Sequence, residues 1–90
     1  MREYIVEYLG TCFFLYVVMV AQAPYAPLAI GAALALSIYL GGPISGGNFN
    51  PAITIMMAFA KKQSMDKIAP YIIAQLAAAF TIVEIYKRFK

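Results

Sequence analysis

From Tyr8 to Ala60 the chain runs for 53 residues without a formal charge. A 90-residue polypeptide has too little interior to hide that much apolar surface from water, so the solvent that suits it is a bilayer. The four acids, Glu3, Glu7, Asp66 and Glu84, lie outside the run or at its edge. So do the seven bases, Arg2, Lys61, Lys62, Lys67, Lys87, Arg88 and Lys90. Charges confined to segment ends are interfacial anchors; they do not build the basic face that nucleic acid requires.

Other chemistries are equally hard to build. Cys12 is the single cysteine and histidine is absent, so neither an intrachain disulfide nor a zinc cluster is expected, and no cofactor is implied. The N-terminal charges Arg2, Glu3 and Glu7 are mixed, unlike the basic n-region of a cleaved signal peptide, and the chain is read as mature.

The apolar run divides into segments. A first span is expected over residues 4–22, roughly 28 Å if helical, with Gly10 and Thr11 as a small patch for a neighbouring helix. "APYAP", Ala23 to Pro27, ends it, since proline lacks an N–H and disfavours helix just before itself. A second span covers about 27–42, its Ala29, Gly31, Ala32, Ala33, Ala35 and Ser37 offering close packing. Pro51 to Ala60 is too short to cross: ten residues make about 15 Å of helix. Its start is strongly marked, with Asn50 as N-cap and Pro51 at the first helical position, and Lys61–Lys62 stop it. After the polar loop "KKQSMDK", in which Ser64 could cap, a last span covers about 66–86. On it Gln75 and the alanines 74, 77, 78 and 79 should face protein. Ile72, Ile73, Leu76 and Phe80 should face lipid or packed neighbours, and Glu84 should pair with Lys87 or Arg88.

Between the second span and the half-helix lies "GGPISGGNFNPAIT", Gly41 to Thr54. Unpaired backbone costs several kcal/mol in lipid, so such a stretch belongs either outside the membrane or against a wet cavity within it. A surface loop is the plain reading. A phosphate-binding loop fits less well than that, since its Lys is missing and no strand precedes it. Followed by a helix of half the span length, the stretch reads instead as a re-entrant loop over about 43–60. Its carbonyls then offer acceptors in series, the half-helix N-terminus brings partial positive charge, and Asn50 adds an amide donor. Those are the parts of a pore for a neutral hydrogen-bonding solute. The fold class is all-α and integral to the membrane: one domain of three transmembrane helices and one re-entrant half-helix.

"SGGNFNPAIT", Ser45 to Thr54, resembles the first-half signature of the aquaporins and aquaglyceroporins, the major intrinsic proteins, where S-G-x-H-x-N-P-A-V-T is usual. "EYLGTCFFL", Glu7 to Leu15, is similar to the E-F-x-G-T-x-x-L of that family's first helix. "YIIAQLAAAF", Tyr71 to Phe80, looks like the Y-x-x-A-Q-x-x-G-A of its third. The three motifs come in the family's order and cover nearly the whole chain. The resemblance implies a pore centred on Asn50, Pro51 and Ala52 and lined by the carbonyls of Gly46, Gly47 and Asn48. It also implies a buried Glu7 that holds the loop by hydrogen bonds, and a Gln75 that packs the third helix.

The departures shape the functional expectation. Family members carry two inverted halves, and the sequence supplies the first. The second N-P-A and the arginine that follows it are missing. Ile30 stands at the aromatic position of the family's constriction and Ile53 follows Ala52, so the filter should be more apolar. Pro43 and Asn48 stand where the family often has histidine. One half encloses no pore, but two copies inserted in opposite orientations could rebuild the inverted repeat. The near-even division of bases, Arg2, Lys61, Lys62 and Lys67 against Lys87, Arg88 and Lys90, permits both orientations. The expected function is a passive channel for water and small neutral solutes such as glycerol, formed by an antiparallel homo-oligomer with the lipid bilayer as its other partner. The competing readings are a truncated fragment that modulates full-length channels and a small membrane-permeabilising protein.

Overall fold

The computed structural model describes residues 1–89; Lys90, counted above among the terminal bases, lies outside them. Four α-helices follow in order: α1 (Arg2–Val20), α2 (Ala26–Ser45), α3 (Pro51–Phe59) and α4 (Ile68–Phe89), with a 3-10 turn, Met65–Lys67, leading into α4. No strand occurs among the described residues. α1, α2 and the run Met65–Phe89 are each long and apolar enough to cross a membrane, with mean hydropathies of 1.5, 1.7 and 1.8.

α1 is the central element: α2 packs along one side of it and α4 along the other, while α3 lies against α4 and the 3-10 turn. Small or polar side chains occupy the buried seams, among them Thr11, Ala33, Ser37 and Ala78. Without a hydrophobic drive between helices in lipid, such residues allow the close approach that dispersion needs. Large apolar side chains such as Leu28, Tyr39, Ile73 and Phe80 point away from the bundle, as lipid-facing groups do.

Polar contacts tie α1 to α4 and to the 3-10 turn before it. Near mid-helix, Tyr8 Oη and Thr81 Oγ1 share a hydrogen bond of 2.7 Å. At one end, Lys67 Nζ lies 2.7 Å from Glu3 Oε2, over the rings of Tyr4 and Tyr71 at 5.7 and 5.9 Å. The two rings meet edge-on, 5.8 Å between centroids.

Several expected boundaries shift, each for a local reason. α1 begins two residues earlier and stops at Val20, where Ala21 turns extended while its N–H still reaches Val17 O at 2.9 Å. α2 runs through Pro43 to Ser45 instead of stopping at 42. Pro43 removes a single hydrogen bond in the last turn and its ring faces outward. The true stop is Gly46, left-handed at φ 92°, whose N–H closes on Gly42 O at 2.8 Å. The last helix opens with a 3-10 turn because Pro70 cannot donate the α bond that would begin it. Ser64 does not cap that turn: its hydroxyl donates to Asp66 Oδ1. Ala77 is exposed, not protein-facing, whereas Ala78 is fully buried. Glu84 pairs with Arg88 across one turn at 3.8 Å.

α3 has the half length that its ten apolar residues imply. Asn50 Oδ1 accepts the Ala52 N–H at 2.7 Å, and Pro51 fills the first helical position. Its far end is closed by Lys61, left-handed at φ 62°, with the Lys62 N–H bonded to Met57 O at 3.0 Å.

Candidate functional site

The five residues between α2 and α3, Gly46 to Asn50, form the loop on which the site is built. Gly46 and Gly47 both have positive φ, and so does Phe49 at 55°. Two of those positions suit glycine; the third is strained for a bulky residue and must be over-determined by its surroundings.

Glu7 supplies that determination. Its side chain is fully buried, and its carboxylate accepts four hydrogen bonds. Oε2 takes the Ser45 hydroxyl at 2.7 Å and the Asn48 N–H at 3.0 Å; Oε1 takes the Phe49 N–H at 2.8 Å and Gln75 Nε2 at 3.0 Å. No basic side chain pairs with Glu7 among the described residues. Its charge is spread over neutral donors, each such bond contributing about 1.5–3 kcal/mol.

The network continues outward. Gln75 Nε2 also donates to Thr54 Oγ1 at 2.9 Å, and Thr54 accepts from Asn48 Nδ2 at 3.0 Å. Ser45 Oγ accepts the Gly47 N–H at 3.1 Å, and Tyr71 Oη donates to Ser45 O at 2.6 Å. α1, α2, α3 and α4 each contribute a side chain, so the loop is held by the whole bundle.

Phe49 anchors the loop from behind. Its ring is buried and lies where a Cβ on Gly10 or Gly41 would stand, 2.2 Å from the first and 2.9 Å from the second. Two helical glycines thus make the socket for one aromatic ring.

Asn50 is different. It is exposed, and its Oδ1 is taken by the Ala52 cap. That bond fixes the amide orientation and leaves Nδ2 without a partner among the described residues. The donor sits at the N-terminus of α3, where the helix dipole adds partial positive charge.

Of the residues expected at the site, Glu7, Gly46, Gly47, Asn48, Asn50 and Gln75 come together in this cluster. Pro51 and Ala52 continue it as the first turn of α3, with Ile53 half-buried behind them. The Asn48 side chain points inward, to Thr54 and to Gln63 Oε1 at 3.1 Å, and the residue as a whole is buried. Ile30 is not in the cluster: it lies on the opposite part of α2, about 22 Å of helix before Ser45. Sequence reading gave no role in the site to Ser45, Phe49, Thr54, Gln63 or Tyr71. Thr54 carried a signal, a polar residue one turn after Asn50 in an otherwise apolar half-helix; Gln63, inside a polar loop, carried none.

Three spanning-length helices, a capped half-helix and a loop clamped by a buried carboxylate define a polytopic membrane protein built around irregular backbone. The family model for the major intrinsic proteins matches residues 1–90. The chain belongs to the major intrinsic protein family, and it is an integral membrane protein. It is similar to glycerol uptake facilitator protein-like 6 of Lactiplantibacillus plantarum, 36% identical over 95 residues that cover 99% of this chain and 44% of that relative. It is also similar to the aquaporin AqpM of Methanothermobacter marburgensis, 52% identical over 52 residues, 58% of this chain and 21% of the relative. The probable glycerol uptake facilitator protein of Thermotoga maritima is 46% identical over 50 residues, 56% of this chain and 21% of the relative. The chain thus spans less than half the length of these relatives. No solved structure matches.

Proposed function

We propose that the chain forms half of a passive channel for water and small neutral solutes such as glycerol, and that two inverted halves make the pore. The observation that carries this reading is Asn50: a fixed, unpartnered amide donor at the start of a half-length helix, beside a loop whose backbone is held in place by Glu7. A neutral solute with hydroxyl groups can accept from Asn50 Nδ2 and donate to the carbonyl of Gly46, which is exposed, whereas Gly47 and Asn48 are buried behind it. The positive end of α3 disfavours cations at the same point. Pro51 and Ala52 shape the narrow centre, and Ile30 and Ile53 give apolar walls.

Packing supports the reading of a second half. Among the described helices α3 rests on α4 and the 3-10 turn, and Ile55, Met56 and Phe59 on it stay exposed. An inverted copy would cover that face and meet the polar tip with its own. The antiparallel homodimer is the minimal pore in this reading, with both orientations permitted by the distribution of bases.

The test is osmotic swelling of proteoliposomes containing only this chain, combined with C-terminal orientation reporters. Water flux without ion leak, with both orientations present, supports the dimer. Flux absent from vesicles of this chain but restored by a second-half polypeptide would replace it with a hetero-assembly, and ion leak would overturn the channel.

A further inference from the structure

Gly46 and Gly47 share a peptide bond that no side chain of their own restrains. Its orientation is set by ψ at Gly46 and φ at Gly47, and both residues lack the Cβ that would limit those torsions. The bond is trans, so the Gly46 carbonyl and the Gly47 N–H point to opposite sides of its plane. Gly46 is exposed, and among the described residues no group donates to its carbonyl. Whatever holds the Gly47 N–H therefore aims the Gly46 carbonyl.

The holder is Ser45. Its Oγ accepts the Gly47 N–H at 3.1 Å, and its own proton goes to Glu7 Oε2 at 2.7 Å. The other acceptor within reach of the hydroxyl, Gly41 O, is farther, at 3.3 Å. With the proton committed to a carboxylate, the serine oxygen is left as an acceptor toward Gly47. Ser45 is itself fixed: it is 5% exposed, and Tyr71 Oη donates to its carbonyl at 2.6 Å. Glu7 Oε2 also takes the Asn48 N–H directly, at 3.0 Å. One carboxylate oxygen thus governs two successive peptide planes, Gly47–Asn48 by contact and Gly46–Gly47 through the serine.

We propose that Ser45 is a positioning residue of the pore: its hydroxyl relays the Glu7 carboxylate to the Gly46–Gly47 peptide, keeps the Gly46 carbonyl turned to the open side, and so tunes which solutes pass. The effect on solutes rests on the pore reading above. A polyol that donates to Gly46 while accepting from Asn50 needs both groups fixed at once, whereas a water molecule can meet either alone. Loss of the relay should therefore cost glycerol more than water.

The test compares Ser45→Ala, which removes the hydroxyl, with Ser45→Thr, which keeps it. Amide hydrogen exchange from Gly46 to Asn50 is measured beside water and glycerol permeability of proteoliposomes. Infrared dichroism of a heavy-isotope label at the Gly46 carbonyl, in oriented bilayers, reads the direction of that group. Ser45→Ala should speed exchange at Gly47 by about tenfold, the equivalent of one hydrogen bond, while Asn48 and Phe49, bonded to Glu7 itself, change by less than about threefold. The labelled carbonyl should lose its single orientation, and glycerol permeability should fall about threefold more than water permeability. Ser45→Thr should stay within about twofold of the parent throughout. Unchanged exchange at Gly47, equal acceleration along the whole loop, unchanged dichroism, an unchanged glycerol-to-water ratio, or a Ser45→Thr variant as impaired as Ser45→Ala would overturn the proposal. Parent vesicles no more permeable than empty ones would sink the pore reading itself, and exchange and dichroism would then decide alone whether Ser45 aims the carbonyl.

Discussion

The ring of Phe49 occupies the space that a Cβ on Gly10 would need: the two would stand 2.2 Å apart. A glycine on the first helix is thus the reason that an aromatic residue in the loop can seat at all, and Asn50 follows Phe49 directly in the chain. Gly10→Ala should therefore displace the ring and destabilise the fold by about 1–3 kcal/mol, the usual cost of overpacking. Gly31→Ala, with nothing within 4 Å of the added carbon, should be neutral. Thermal denaturation in detergent of the two variants measures the contrast, and Phe49→Leu should recover part of the loss in the Gly10→Ala background.

Glu7 is the acceptor for two backbone N–H groups of the loop. Glu7→Gln keeps the size but turns an NH2 toward donors, so at least one buried N–H loses its partner, at about 1–3 kcal/mol. The expected outcome is faster hydrogen exchange at Asn48 and Phe49 with helix content kept. Unchanged exchange at these amides would refute the clamp.

If the channel reading holds, substitutions at Asn50 should separate folding from conduction. Asn50→Asp preserves the cap on α3, since Asp and Asn are comparable N-caps, but removes the amide donor and adds a negative charge. Stability should hold to within about 0.5 kcal/mol while water flux in swelling assays is lost. Asn50→Leu should lose the flux and also about 1 kcal/mol of stability, because the cap goes too.

The Glu3–Lys67 pair is part-exposed, with side chains 23% and 30% accessible. Lys67→Glu should lower the melting temperature only slightly, through like-charge repulsion with Glu3 and the lost contact with the tyrosine rings. The exchange Glu3→Lys with Lys67→Glu should restore much of that. Melting temperatures at low and high salt would show the effect shrinking as ions screen it.

Much of this architecture was legible because it follows from the bilayer. A stretch of 53 uncharged residues broken by Pro24, Pro27 and a glycine–asparagine loop leaves few arrangements open, and Asn50–Pro51 marks a helix start by itself. Family resemblance, not pattern, pointed to the burial of Glu7, since a carboxylate near a helix start equally suits an interface. The parts that stayed hidden depend on distances across the bundle. Phe49 meets Gly10 across 39 positions of sequence, and Gln63 meets Asn48 by folding back over α3. Pro43 misled the boundary of α2 because a proline in the last turn costs a helix little.

The partners of the loop are spread along the chain, and this has a consequence for the order of assembly. Glu7 leaves the ribosome before Gly46 to Asn50, whereas Tyr71 and Gln75 leave it well after. Until α4 arrives, the Ser45 carbonyl lacks its tyrosine and the Glu7 carboxylate lacks one of its four donors. A nascent chain stopped before Tyr71 should leave a cysteine introduced at Ser45 open to a water-soluble thiol reagent, and completion of α4, which buries Ser45, should protect it. Entry of the last helix should then be the event that seals a polar segment until that point only half held.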